Sequence, residues 1–170
     1  MLKIKPLNKD ELDEAYQFLS ELEPQDGFKN HIYQMPYEQF KNEEFDRLIK
    51  ESKGIDLVEG RVPQTYFFLW DHHKIVGIFK VRHYLNEALK TGDGHIGYAI
   101  GAKHRRQGYA TKGLKLLLRI AKDIIKEDEI YFCVFKYNKA SIKAQIKNGA
   151  TLHHTDDIDA FLRLKKSDIK

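Results

Sequence analysis

The chain has a single cysteine in 170 residues, Cys133, and only four prolines. One cysteine excludes a disulfide framework and any cysteine-based metal site. Lying in the apolar run IYFCVF, Cys133 reads as a buried structural thiol rather than a nucleophile. No apolar run approaches the ~18 residues needed to span a bilayer, and the N-terminus turns polar within seven residues. Neither a membrane anchor nor a secretion signal is expected, and a cytoplasmic location is. Repeats, low-complexity tracts and linkers are missing too. Charge of one sign is also in short supply: 29 Lys and Arg stand against 25 Asp and Glu, a formal net charge of +4. So mild an excess favours an anionic partner without choosing among nucleotide, nucleic acid and membrane.

With 42% hydrophobic and 32% charged residues, the chain is apolar enough to close its own core, and 1–170 is expected to form a single domain. LKIK reads as a first strand. Asn8 and Glu11 have capping-box spacing ahead of a helix whose apolar face is Leu12, Ala15, Tyr16, Leu19 and Leu22. A loop from Pro24 to Met35 precedes a second helix opened by Pro36, with Tyr37, Phe40, Leu48 and Ile49 inward. TYFFLWD, KIVGIFKVRHYL and GHIGYAI then read as an antiparallel meander turned at DHHK and TGDG. Ala110, Leu114, Leu117, Ala121 and Ile125 mark a long amphipathic helix, IYFCVF a buried strand, KASIKAQIKNGA a short helix and AFLRLK a last strand. The alternation predicts an α/β or α+β sandwich on a central sheet.

AKHRRQGYATKG, residues 102–113, places basic residues beside two glycines where the chain runs into the long helix. The first turn of a helix carries N–H groups without helical partners and a positive dipole end, so it suits an anion. Gly108 lets phosphate oxygens approach the backbone, and Lys103, Arg105 and Arg106 supply counter-charge, which favours two linked phosphates. Gly92, Gly94 and Gly97 spell G-x-G-x-x-G, but a strand follows them rather than a helix, and the dinucleotide reading loses its context. The pairs His72-His73 and His153-His154 invite a metal, yet adjacent residues on a strand or turn point apart, and no metal is expected.

RRQGYA, with Arg105, Gly108 and Ala110 at the signature positions, and Asn138, Ser141 and Gly149 in NKASIKAQIKNGA, resemble two motifs of the GCN5-related N-acetyltransferases (GNAT) in their usual order. The resemblance covers roughly residues 64–165 well, and residues 1–60 by element order alone. It implies a mixed, mostly antiparallel central sheet of about seven strands with helices on both faces and a splay between strands four and five. The core over 64–165 would bind acetyl-CoA, and residues 1–60 would face the acceptor. The resemblance assigns the pyrophosphate to the amides of 106 to 111, hence to Arg105, Arg106, Gln107, Gly108, Tyr109, Ala110 and Thr111. Pantetheine would run beside Tyr98, Ala99 and Ile100, with Asn138 and Ser141 across from it. An amine would attack the thioester directly, while a backbone N–H near Ile100 steadies the oxyanion. The implied acceptor is a small-molecule or peptide amine, with no nucleic acid, membrane or metal involved, and the protein would be a monomer or homodimer.

The chain departs from the family where a tyrosine commonly protonates the leaving thiolate: Gln145 stands there. A thiol of pKa about 8.5 can leave with little help, so the expectation remains an enzyme. A non-catalytic acyl-CoA-binding module is the alternative, and a nucleic-acid-binding protein a more distant one. Candidates to take the amine's proton are His95, Asp93 and Tyr137, with Tyr98 also beside the expected cleft. EPQDGFKNHIYQMPY with Arg82, Tyr84 and Asn86 would meet the acceptor.

Overall fold

Strands β1 (Leu2–Pro6), β2 (Gln64–Asp71), β3 (Lys74–Arg82) and β4 (Ile96–Ile100) form an antiparallel sheet in that order, in a computed structural model describing residues 1–170. A second antiparallel sheet runs β5 (Glu129–Phe135), β7 (Asp159–Lys165), β6 (Thr151–Thr155). Seven strands are therefore present in an α/β arrangement, but as two sheets of four and three rather than one continuous mixed sheet.

The sheets touch where β4 begins. His95 N donates to Tyr131 O at 2.8 Å, and an isolated bridge joins Gly94 to Phe132. Gly94 has φ +66°, and a Cβ there would stand 2.4 Å from the Tyr131 carbonyl oxygen, so only glycine permits the approach. Beyond this junction β4 and β5 share no ladder, which is the splay the resemblance implies.

Helix α5 (Tyr109–Ile124) lays its expected stripe on one face of the sheets, with Leu114, Leu117 and Ala121 wholly buried among Phe79, Phe132 and Leu162. On the other face α1 (Leu12–Glu21) and the second helical segment enclose Leu19, Phe40, Leu48, Phe68 and Ile78. That segment is α2 (Tyr37–Gln39), a π-turn over Phe40–Glu44, and α3 (Phe45–Ser52). The Asn8 cap forms, but it opens a 3-10 turn, Lys9–Glu11, before α1: Asn8 Oδ1 accepts from Asp10 N at 3.0 Å, and its Nδ2 donates to Glu11 Oε2 at 2.6 Å. The short helix α6 (Lys139–Lys147) follows β5 as expected.

Two elements differ from the sequence pattern. The strand expected to run through KIVGIFKVRHYL stops at Arg82, and Asn86 instead caps a short helix, α4 (Glu87–Thr91), accepting from Leu89 N at 3.0 Å. Strand β6 carries no alternation to betray it, because all five of its residues are exposed at a sheet edge. No helix is long and apolar enough to cross a membrane.

Candidate active site

A cleft of about 1170 Å³ follows the gap between β4 and β5 from the α5 N-terminus to the loop after α1. At one end, Arg106 and Gly108 both adopt left-handed backbone, φ +61° and +78°. Alternating hands of this kind turn consecutive N–H groups inward to form a concave nest for an anion. The N–H groups of residues 106 to 111 find no acceptor in the loop or helix, and the first bond of the new helix is Lys112 N to Gly108 O at 3.0 Å. Arg105 reaches back to donate its Nε–H to the Ile100 carbonyl at 3.4 Å, tying the loop to the end of β4. Unpaired amides, with Arg105 and Arg106 free of any carboxylate partner, fit a diphosphate.

The β3–β4 ladder decides which backbone groups face the gap. Gly101 N donates to Val76 O and Arg82 N to His95 O. By antiparallel alternation, Ala99 and Gly97 bond toward β3 while the N–H and C=O of Tyr98 and Ile100 turn toward β5, with which they do not pair. Those exposed peptide groups can receive an extended amide-bearing arm.

Across the gap stands α6, whose N-cap Asn138 accepts from Ser141 N at 3.1 Å. The Tyr98 hydroxyl lies 2.7 Å from Ser141 Oγ, and Gln145 Nε2 donates to that Oγ at 3.2 Å. Gln145 is 2% exposed and its Oε1 has no partner. Burial pushes the Tyr98 phenol up, with the Ser141 bond opposing it, so the group holds its proton at neutral pH.

The other end of the cleft is polar. Gln64 and Tyr66 on β2 pair with Arg82 and Lys80 on β3, placing these four side chains on one face. Glu51, 3% exposed, accepts from Gln64 Nε2 at 3.0 Å and from the Tyr66 hydroxyl at 3.2 Å, and Arg61 and Arg47 lie 3.5 and 3.6 Å from it. Arg82 donates to Gly94 O at 3.0 Å and pairs with Asp93 at 3.3 Å.

The cleft brings together Tyr98, Ala99, Ile100, Arg105, Arg106, Gly108, Tyr109, Ala110, Thr111, Asn138, Ser141 and Asp93, and Gln107 lies outside its lining. The Tyr109 hydroxyl turns away to donate to Asp71 at 2.6 Å. His95 and Tyr137 are not on the wall. The His95 ring is wholly buried, its Nδ1 accepts from Tyr131 N at 2.9 Å, and its Nε2 therefore donates to Glu127 at 3.0 Å. Neither nitrogen is left to take a proton from an amine, and burial lowers the ring's pKa despite Glu127. Tyr137 is 65% exposed and stacks on Phe135.

Of the expected acceptor residues, Gln25 to Lys29, His31 and Arg82 line the cleft, while Tyr84 and Asn86 do not. Asn86 is spent capping α4 and bonding Gly60 O. Glu51, Arg61, Gln64, Tyr66 and Lys80 were absent from the expected set, although the alternation in QTYFFLWD and KIVGIFKVR already put Gln64, Tyr66, Lys80 and Arg82 in phase. Cys133, expected as a buried structural thiol, is half-buried and lines the cleft, where burial first and nearby carboxylates second push its thiol up to about 12. It stays protonated and inert.

A family model described as an acetyltransferase (GNAT) domain matches residues 2–151. Among solved structures, Mycobacterium smegmatis RimJ in complex with CoA-disulfide superposes with a TM-score of 0.69 at 15% identity, covering 99% of this chain and 83% of that one. The ribosomal-protein-S5-alanine acetyltransferase of Vibrio fischeri gives 0.67 at 15%, covering 99% and 95%. The spermidine N-acetyltransferase of Vibrio cholerae, solved with CoA and spermine, gives 0.64 at 10%, covering 99% and 97%. At these identities the likeness is one of fold. No curated protein matches the chain.

Proposed function

Because the chain belongs to the GNAT acetyltransferase family, whose enzymes take their acyl group from acetyl-CoA, we propose that it transfers that acetyl group to a primary amine by direct attack within a ternary complex. The observation that carries this reading is the nest of unpaired amides at residues 106 to 111, which opens onto the N–H groups of Tyr98 and Ile100 that β5 leaves unpaired. The nest and Arg105 would hold the pyrophosphate. The peptide groups of β4 would align the pantetheine arm, and the N–H groups of Tyr98 and Ile100 would be the donors for the thioester carbonyl. One such preorganised donor contributes about 10²- to 10³-fold in rate.

Asp93 is the one of the three candidate bases on the cleft wall, and we assign it to take the amine's proton, through water because its carboxylate is exposed. The amine nitrogen bonds the carbonyl carbon, the C–S bond breaks, and the sulfur leaves with the electron pair. In place of the absent tyrosine at 145, the Tyr98 hydroxyl supplies the thiolate's proton, steadied by Ser141. A non-catalytic acyl-CoA-binding module would need none of this chemistry, and Gln145 favours it only if Tyr98 is idle.

The test is calorimetric titration with acetyl-CoA of the wild type, Arg105→Ala and Gly108→Asp. Loss of most affinity in both variants is expected, followed by turnover on an amine panel. Absence of wild-type binding at millimolar cofactor would overturn the reading.

A further inference from the structure

At the acceptor end of the cleft, Lys80 is a half-buried cation without a carboxylate partner. Arg82 has Asp93, Arg61 and Arg47 have Glu51, and Arg47 also has Glu44. The half-buried Lys80 ammonium donates once, to the Lys29 carbonyl at 3.0 Å, and lies over the Phe28 ring at 4.3 Å. An ammonium has three protons to donate, so its capacity is not exhausted by these contacts. Burial first, and the Arg82 charge second, hold its pKa down to about 8. It is still mostly charged at neutral pH, in surroundings that make an added anion favourable.

The space beside it is open by construction. Across the ladder Lys80 faces Gly97, where a Cβ would find no atom within 4 Å. Lys80 and Arg82 thus form the floor of a recess over Gly97, while the buried Glu51 carboxylate nearby is already bonded by Gln64 and Tyr66. A polycationic amine entering here would meet the Lys80 ammonium, while of the other carboxylates on the cleft wall Asp93 is paired with Arg82, Asp26 is exposed and Asp159 belongs to the second sheet.

Resting on the acetyl-transfer reading, we infer that the amine acceptor carries an anionic group, carboxylate or phosphate, and that Lys80, with Arg82 beside it, is the residue that recognises it. Charge-assisted hydrogen bonds to a half-buried ammonium select such an acceptor over its uncharged analogue by about tenfold or more. Lys80 is a specificity-determining residue here and takes no part in the proton transfers.

The experiment compares acetylation of ε-aminocaproate with hexylamine and cadaverine for a carboxylate, and of glucosamine phosphorylated on its terminal hydroxymethyl with glucosamine for a phosphate. Wild type, Lys80→Gln and Lys80→Arg are assayed with acetyl-CoA affinity measured alongside. Lys80→Gln keeps a donor for the Lys29 carbonyl while removing the charge. Expected are a preference of about tenfold or more in kcat/KM for the anionic member of one pair, its loss in Lys80→Gln and its recovery in Lys80→Arg, with acetyl-CoA affinity constant. Preference for cadaverine, or an anionic preference unchanged in Lys80→Gln, overturns the inference. If no panel amine turns over, the acetyl-CoA-saturated protein is titrated with inorganic phosphate: binding that Lys80→Gln abolishes supports the inference, and no binding, or equal binding in both, overturns it. Failure of acetyl-CoA itself to bind would instead sink the acetyl-transfer reading.

Discussion

His95 and Glu127 meet at 3.0 Å where the two sheets join. With Tyr131 N donating to the other ring nitrogen at 2.9 Å, the imidazole substitutes for a missing strand ladder at the apex of the splay. The cleft opens because β4 and β5 are held there and nowhere else.

Replacing His95 with alanine should therefore lower stability by about 3 kcal/mol, from two lost hydrogen bonds and a cavity. Urea unfolding measures it. The rate per folded molecule should keep its wild-type pH profile; disappearance of an acidic limb with stability intact would make His95 the base after all.

Stability should also fall in acid in two stages. Burial depresses the His95 pKa, so below its unfolded value of about 6.5 the unfolded chain binds the extra proton, and this contribution, fully present above that pH, is lost as pH falls. Glu44 follows. Burial pushes its carboxyl up, but hydrogen bonds from Arg47 and His31 outweigh this and hold it at about 2. Its contribution is complete above the unfolded value of about 4.3 and fades as pH drops toward 2. Urea midpoints against pH should show both stages in the wild type, and Glu44→Gln should lack the second.

The anion loop, α5 and the cap at Asn138 were legible in the sequence, because each depends on local chemistry: glycine before a helix, a 3.6-residue stripe, an asparagine at an N-terminus. The acceptor end was not. Glu51 and Lys80 lie 29 residues apart on a helix and a strand, and only the antiparallel register of β2 and β3 brings Tyr66 and Lys80 opposite one another. His95 misled for a related reason. Its position at the entry to β4 is legible from the strand pattern, but whether its ring faces the cleft or Glu127 depends on the junction with β5, which no local pattern encodes.

Tyr98→Phe removes one hydroxyl from the cleft wall. If that hydroxyl protonates the departing sulfur, kcat should fall about 10²-fold with acetyl-CoA affinity unchanged, since the backbone of residue 98 still faces the gap. Pre-steady-state kinetics that isolate the chemical step would decide it. An unaltered chemical rate would mean that the thiolate leaves unassisted.

Gly94 and Gly97 lie three residues apart, and alanine at each should have opposite consequences. At Gly94 a methyl group collides with the Tyr131 carbonyl at 2.4 Å in a left-handed backbone, so Gly94→Ala should lose about 2 kcal/mol or more. At Gly97 the methyl group meets nothing in the protein, and unfolding should change by less than about 0.5 kcal/mol. What it fills is the recess beside Lys80. Gly97→Ala should therefore raise KM for the amine several-fold while leaving KM for acetyl-CoA alone. A variant in which both constants stay at their wild-type values would show that the acceptor does not pass over Gly97 and must approach the thioester from another side of the cleft.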